Sequence, residues 1–187
     1  MTPSTPLALH RWDRPVDASD RAVLAHCVGP TLDVGCGPGR MSAHLAEQGR
    51  AVLGVDLVHG AVVKARERGA QALHRDIFDP LPGEGRWGTA LLADGNIGIG
   101  GDPALLLRRM AAVIAGDGRI VTDLAPPGDG VRTGWVHLVS DGVAGTPFRW
   151  AWVAVDEIAP LAMHAGLVVT SQHEHAGRWF AVLEKAA

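Results

Sequence analysis

The sequence is poor in several kinds of residue, and each scarcity excludes a class of protein. Two cysteines, Cys27 and Cys36, are too few for a disulfide framework or a tetrahedral zinc site. No stretch approaches the roughly 18 consecutive apolar residues that a membrane-spanning helix requires. The net charge of −3 comes without the cluster of Lys and Arg that binds nucleic acid. Residues 1–15 lack the apolar segment of a secretory signal, so we expect a cytoplasmic protein with free thiols.

What the chain does contain suits one folded domain. Of its 187 residues, 47% are hydrophobic and 20% are charged, which provides a core and leaves little room for a second domain. We therefore predict a single domain over residues 1–187. Residues 1–17 are expected to form an N-terminal arm with Trp12 as its anchor.

Short apolar runs alternate with helical patterns over the first two thirds of the chain. The predicted strands are 31–34, 51–55, 70–74, 89–93 and 119–122, with helices between most of them. Ser19 is the expected cap of the first helix, Asp102 with Pro103 begins a later one, and residues 116–118 form a turn. This alternation indicates βαβ units and a parallel sheet with helices on both faces.

The last third of the chain has a different rhythm. Residues 135–139 alternate as in a strand, and so do residues 148–152, with the turn-rich segment 140–147 between them. This pattern predicts an antiparallel hairpin, which we expect to form an inserted cap over residues 131–154. Residues 167–171 and 178–183 are the predicted closing antiparallel pair.

A glycine cluster follows the first apolar strand and opens a helix. Such a turn presents backbone N–H groups and a helix N-terminus to a ligand. A dinucleotide fingerprint has glycines at its first, third and sixth positions, whereas here they are Gly35, Gly37 and Gly39, and the sixth position is Arg40. Asp33 precedes the turn by two residues, where a carboxylate suits an ammonium group better than a pyrophosphate.

Two further acids follow the next two strands. Asp56 ends the second strand, where a carboxylate can accept both hydroxyls of a ribose. Asp76 follows the third strand and precedes Ile77, so a carboxylate and an apolar side chain could meet an adenine. Because the carboxyl ends of parallel strands lie at one edge of the sheet, we expect Asp33, Asp56 and Asp76 to line a shared site.

In this order the segments 32–39 (LDVGCGPG), 54–56 (GVD) and 76–77 (DI) resemble the class I S-adenosylmethionine-dependent methyltransferases. The resemblance implies an α/β, Rossmann-like, doubly wound fold with a seven-stranded, mostly parallel sheet, an antiparallel last strand and the hairpin cap. It also implies that Asp33 and the glycine turn hold the methionine part of the cofactor, Asp56 the ribose, and Asp76 with Ile77 the adenine. The expected cofactor-binding residues are Asp33, Gly35, Cys36, Gly37, Gly39, Arg40, Asp56, Leu57, Asp76, Ile77 and Asp94.

The loop after the fourth strand is expected to face the transferred methyl group. Asp94 or Asn96 there could hold the amino group of the cofactor or the attacking atom of the substrate, although the same residues also favour a plain turn. In the cap, His137 is the expected general base because its free pKa is near ~6.5. The expected catalytic residues are His137, Asp94 and Asn96, and the expected substrate-binding residues are Trp12, Asn96, Trp135, His137, Trp150 and Trp152. Trp150 and Trp152 could equally be core residues.

The predicted function is methyl transfer from S-adenosylmethionine to oxygen or nitrogen of a small molecule, such as a specialised metabolite. The Asn-Pro-Pro-aromatic motif of methyltransferases that act on adenine or glutamine is absent, so a nucleobase or peptide amide substrate loses support. A cofactor-binding module or a non-methylating enzyme on the same fold is the alternative, and Arg40 disfavours a nicotinamide oxidoreductase. No metal site is predicted, although Asp94 with Asp123 leaves a magnesium-assisted reaction open. The oligomeric state, monomer or homodimer, is also left open.

Overall fold

The protein is described by a computed structural model over residues 4–8, 12–140 and 143–186. In chain order its strands are β1 (Thr5–Ala8), β2 (Thr31–Val34), β3 (Val52–Asp56), β4 (Ala72–His74), β5 (Trp87–Leu92), β6 (Ile114–Leu124), β7 (Val131–Ser140), β8 (Val143–Ala144), β9 (Phe148–Val153), β10 (Leu167–His175) and β11 (Arg178–Lys185). Its α-helices are α1 (Ala18–Leu24), α2 (Arg40–Glu47), α3 (His59–Glu67), α4 (Pro103–Val113) and α5 (Ile158–His164).

The main sheet has seven strands in the order β10-β11-β6-β5-β2-β3-β4. The five strands β2 to β6 run parallel, whereas β11 is antiparallel to β6 and β10 is antiparallel to β11. The predicted doubly wound, mostly parallel sheet and its antiparallel end are therefore confirmed. The chain reverses direction in strand order between β2 and β5, which is where ligands bind in open α/β sheets.

Apolar side chains leave the sheet on both faces and pack under different helices. On one face, Leu92 and Ile120 pack with Leu106 of α4 and Ile158 of α5. On the other face, Leu91 and Val121 pack with side chains of α1 and α2. Because successive residues of a strand point to opposite faces, a continuous apolar run such as 90–92 serves both layers at once.

A second sheet of four strands lies in the later part of the chain and the N-terminal arm. Strand β7 pairs antiparallel with β8 and β9, as the predicted hairpin requires. On its other side β7 pairs in parallel with β1, which the sequence analysis treated only as an extended arm. Residues 141–142 of the predicted turn, and residues 1–3 and 9–11 of the predicted arm, lie outside the described residues.

Two local predictions need correction. Asp17, not Ser19, caps α1: its side chain accepts a hydrogen bond from the Asp20 N–H, while the Asp20 side chain accepts one from the Asp17 N–H. The reciprocal pair satisfies two end groups of the helix, more than a single hydroxyl could. Residues 116–118 lie within β6, where the pairing with β5 passes from Ile114 to Arg119, so the predicted turn is an irregularity inside a strand.

Across the described ranges, no helix is long and apolar enough to cross a membrane.

Candidate functional site

A cavity of about 570 Å³ lies at the carboxyl edge of the parallel strands, beneath the cap sheet. One side of it carries four carboxylates at successive strand ends, which we call the acid wall: Asp33, Asp56, Asp76 and Asp94. Thr146 and Arg149 of the cap also line the cavity, together with a set of apolar and aromatic residues that we call the cap wall: Leu7, Trp12, Leu138, Phe148 and Trp150. Cavities of ~300–1,000 Å³ are typical of small-ligand sites in proteins.

The glycine turn is shaped by close contact with the loop after β5. Gly35 has a φ of +69°, and a Cβ there would lie 2.7 Å from the Asn96 Nδ2 atom. That amide nitrogen donates hydrogen bonds to the carbonyl oxygens of Val34 (2.7 Å) and Gly35 (2.9 Å). The side chain of Asn96 therefore fastens the turn, and no group in the described part of the chain donates to its oxygen. Asn96 lines the cavity with that oxygen unpaired in these ranges.

Gly37 and Gly39, two residues apart, serve different purposes. A Cβ on Gly37 would meet no protein atom within 4 Å, and Gly37 lines the cavity, so the space before it can receive a ligand. A Cβ on Gly39 would lie 2.6 Å from the Cβ of Ala65 in α3. Gly39, which was expected to bind the cofactor, lies off the cavity and allows α2 and α3 to pack closely.

Asp56 joins the second strand end to the glycine turn. Its carboxylate accepts hydrogen bonds from the N–H groups of Gly37 (2.8 Å) and Val58 (2.8 Å). Burial raises the pKa of Asp56, and these two N–H donors oppose that rise. Each carboxylate oxygen has a second lone pair, so Asp56 can still accept the two hydroxyls of a ribose.

Asp33 is buried behind the turn, and its carboxylate accepts a hydrogen bond from the Ser42 hydroxyl (2.6 Å). Burial raises its pKa to about 6, against the lowering effect of Ser42. The opposite residue on β3 is Gly54, where a Cβ would lie 2.7 Å from the Cys36 Sγ atom. Cys36 thus fills the space beside Asp33, and burial raises the pKa of its thiol, as expected for a packing residue rather than a nucleophile.

The third strand end provides a polar and an apolar surface side by side. Asp76 accepts a hydrogen bond from the Phe78 N–H (3.0 Å) on one oxygen. Ile77 is buried beside it, and Leu57, 64% exposed, projects from the end of β3. All of these line the cavity, so a carboxylate and apolar side chains meet at one end, as an adenine would require.

Asp94 lines the cavity at the end of β5 and is held by an arginine. Two nitrogen atoms of Arg40 donate to its two oxygens at 2.7 and 2.8 Å. Asp94 has a φ of +55°, and its N–H donates to Asp123 (2.5 Å). Asp123 in turn accepts hydrogen bonds from Arg178. The two acids left open for magnesium are thus paired with guanidinium groups, and no three metal-ligating side chains are grouped within the described ranges.

Three residues predicted to contact the substrate lie off the cavity. Successive residues of β7 point to opposite faces of the sheet. Leu138 lines the cavity, whereas the neighbouring His137 points to the other face, where its Nδ1 atom forms a hydrogen bond with the Ser4 hydroxyl (2.8 Å). Trp135, on the face of His137, stacks with the Arg149 guanidinium (5.7 Å). Trp152 packs with Arg132 (5.6 Å), beyond the end of the cavity. His137 is therefore not placed to act as a base in this cavity.

The remaining predicted residues, Trp12 and Trp150, both line the cavity, and Trp150 meets Phe148 edge to face at 6.0 Å. The sequence analysis missed several lining residues, among them Leu7, Arg75, Phe78, Ile99, Leu138 and Phe148. Phe148 could have been found, because it alternates with Trp150. Leu7 could not, since only the pairing of β1 with β7 brings it there.

Comparison with known proteins finds similarity in one segment of the sequence and in the fold. A family model described as a methyltransferase domain matches residues 31–118. No curated protein matches the chain. A methyltransferase of Bacteroides fragilis, solved with S-adenosyl-L-homocysteine, has a TM-score of 0.77 at 24% identity over 96% of this chain and 81% of its own.

Two other solved structures are similar in fold. The CcbJ methyltransferase of Streptomyces caelestis has a TM-score of 0.72 at 19% identity, over 94% of this chain and 92% of its own. The 1,6-didemethyltoxoflavin-N1-methyltransferase of Burkholderia thailandensis has a TM-score of 0.68 at 22% identity, over 91% and 79%. The order of the strands and the glycine turn with its acids agree with these matches: residues 31–118 match a methyltransferase-domain model, and the chain has the fold of the solved methyltransferases.

Proposed function

We propose that the protein transfers a methyl group from S-adenosylmethionine to a nitrogen or oxygen atom of a small molecule. The observation that carries this proposal is that one cavity is lined by both the acid wall and the cap wall. One side suits a polar nucleoside with a charged amino-acid end, and the other suits a flat or apolar acceptor.

The residues of the acid wall fit the cofactor. Asp56 would accept the ribose hydroxyls, Asp76 the exocyclic amine of the adenine, and Ile77 with Leu57 would pack on the ring. Gly37 leaves open space for the chain of the methionine, and Asp33 and Asp94 offer carboxylates to its ammonium. When bound, this cofactor supplies an electrophilic methyl group on a sulfonium.

The cap wall would bind and align the acceptor. Methyl transfer is an in-line displacement, so the main task of the protein is to hold the attacking atom in line and exclude water. Trp150 and Phe148 provide an aromatic corner for that purpose, and the unpaired oxygen of Asn96 can accept a hydrogen bond from an N–H or O–H of the acceptor. The Burkholderia relative, an N1-methyltransferase solved with 1,6-didemethyltoxoflavin bound, is consistent with such an acceptor.

We also propose a domain organisation, a class of substrate and a cellular location for the enzyme. Residues 131–154 with β1 are the cap of one catalytic domain. The net charge of −3 favours a small molecule over nucleic acid, and the two buried cysteines, both unpaired, suit the cytoplasm.

The test combines binding with transfer. Titration calorimetry should detect binding of S-adenosylhomocysteine, and the enzyme should transfer a labelled methyl group from the cofactor into a fraction of a metabolite extract. No binding at millimolar ligand would contradict the cofactor assignment. Binding with all the label left in the cofactor would instead support the alternative, a binding module or a non-methylating enzyme.

A further inference from the structure

Behind the acid wall, three arginines and three aspartates form a cluster: Arg14, Arg40, Arg178, Asp20, Asp94 and Asp123. Arg14 also pairs with the exposed Asp17 (2.8 Å). Asp20, on α1, is at the centre and is 0% exposed. Its carboxylate accepts hydrogen bonds from all three guanidinium groups, at distances from 2.5 to 3.2 Å. The cluster thus joins a helix outside the glycine motif to the cavity.

Arg40 connects Asp20 with the cavity because its guanidinium group donates hydrogen bonds along two of its edges. Its Nε and Nη2 atoms donate to Asp20 at 3.1 and 2.8 Å. Its Nη1 and Nη2 atoms donate to Asp94 at 2.7 and 2.8 Å. A planar guanidinium held by two carboxylates has a fixed orientation, so the place of Asp94 depends on Asp20.

Asp94 is the member of the cluster that both meets Arg40 and faces the cavity with a partly exposed carboxylate, 24% accessible. It follows β5, the neighbour of β2, and so lies beside the glycine turn rather than at the adenine end. A fixed carboxylate at this place can accept a hydrogen bond from an ammonium group.

We propose that Asp20 is a positioning residue for the cofactor: through Arg40 it holds Asp94 where the amino-acid end of S-adenosylmethionine binds. The inference rests on the proposed function. Removing the charge of Asp20 takes away the carboxylate that all three guanidinium groups share and frees one edge of Arg40, so Asp94 is held less firmly in its place. Burial alone would raise the pKa of Asp20, but hydrogen bonds from Arg40 and Arg14 hold it below its ordinary value, so its charge is present at neutral pH.

The experiment compares two ligands by titration calorimetry. S-adenosylhomocysteine has the amino-acid end, whereas 5′-methylthioadenosine keeps the adenosine and the sulfur and lacks that end. For D20N we expect about a tenfold loss of affinity for S-adenosylhomocysteine, with less than about a twofold change for 5′-methylthioadenosine. D117N, which changes an exposed aspartate at the far end of β6, is the matched control and should change neither affinity.

A merely structural role of Asp20 would weaken both ligands together. Equal losses, or no loss, in D20N would therefore overturn the inference while leaving the proposed function intact. If the wild-type protein bound neither ligand, the proposed function would fall and the inference with it. Should D20N not fold, R40K replaces it, because lysine keeps the charge but cannot grip both carboxylates; the same selective loss is expected, and equal losses overturn the inference.

Discussion

The acid wall and the cap wall meet across one cavity, but they are built in different ways. The acid wall consists of residues at or just after the carboxyl ends of β2, β3, β4 and β5, so the parallel sheet alone brings them to one edge. The cap wall combines Trp12 with residues from β1, β7 and β9, far apart in sequence, and exists only because two sheets pack together. The cofactor side is therefore determined by local motifs, whereas the acceptor side is determined by tertiary packing.

The largest effect is expected at the acid wall. D56A removes the acceptor of the ribose hydroxyls and frees the N–H groups of Gly37 and Val58. We expect the affinity for S-adenosylhomocysteine to fall about 100-fold, from the loss of hydrogen bonds to a charged group. Calorimetry measures the loss, with D117N as control. Unlike D20N, D56A should lower the affinity for 5′-methylthioadenosine as much as the affinity for S-adenosylhomocysteine. Unchanged affinities would show that Asp56 does not contact the ligand.

The junction between the two walls depends on a glycine. A Cβ on Gly98 would lie 2.1 Å from the Ala151 oxygen in β9, so G98A forces the cap away from the loop. We expect the free energy of unfolding to drop by about 1–3 kcal/mol, with acceptor methylation reduced more than cofactor binding. G116A is the matched control, because a Cβ there would meet no atom within 4 Å apart from its chain neighbours. Equal melting temperatures for the two variants would contradict this packing.

Two tryptophans of β9 distinguish the cavity from the rest of the cap. Trp150 lines the cavity and is 8% exposed, whereas Trp152 packs against Arg132 outside it. W150A should raise the KM for the acceptor about tenfold through lost aromatic contact, and W152A should leave that KM unchanged. Steady-state kinetics with the identified acceptor measure both. Similar values for the two variants would mean that the acceptor binds elsewhere.

The pH dependence of cofactor binding tests Asp33. Burial raises its pKa from 3.8 to about 6, so the folded protein takes up a proton that the unfolded chain does not between those values. The free energy of unfolding of the ligand-free protein should therefore fall as pH rises from about 4 to about 6. Affinity for S-adenosylhomocysteine should rise over the same interval, because only the ionised carboxylate pairs with an ammonium.

Calorimetry and thermal melts across the interval from about pH 4 to about pH 6 measure these opposite trends. D33N should lose the share of the pH dependence that comes from Asp33. It should keep the share that comes from Asp56, because burial also raises the pKa of Asp56. A pH dependence that is identical in D33N and the wild type would show that Asp33 does not meet the charged end of the ligand.

The smallest effect is expected at His137. The sequence predicts a general base there, but the ring bonds Ser4 on the face of β7 away from Leu138. H137A should change turnover by less than about twofold, as a substitution outside the site does. The methyl-transfer assay measures it beside W150A, and a large loss of turnover would restore His137 as a catalytic residue.

Much of this outcome could be predicted from particular residues. Asp33, Asp56, Asp76 and Asp94 were predicted because each lies at or near the end of an apolar strand, and strand ends of a parallel sheet converge. His137 and Trp135 could not be placed, since a period of two tells which residues share a face but not which face meets the cavity. Gly98 illustrates the same limit: the sequence indicates a flexible loop, whereas in the structure Gly98 packs closely against the backbone of β9.

The sequence by itself determined the order of strands and helices, the glycine turn and the acids of the cofactor side. Those features follow from periodicity and spacing over a few residues, which any segment carries locally. Only the tertiary structure decided which aromatic residues close the cavity, that β1 joins the cap, and that Asp20 reaches Asp94 through Arg40. These contacts join segments far apart in the chain, and their geometry depends on how two sheets and α1 pack, which no local pattern records.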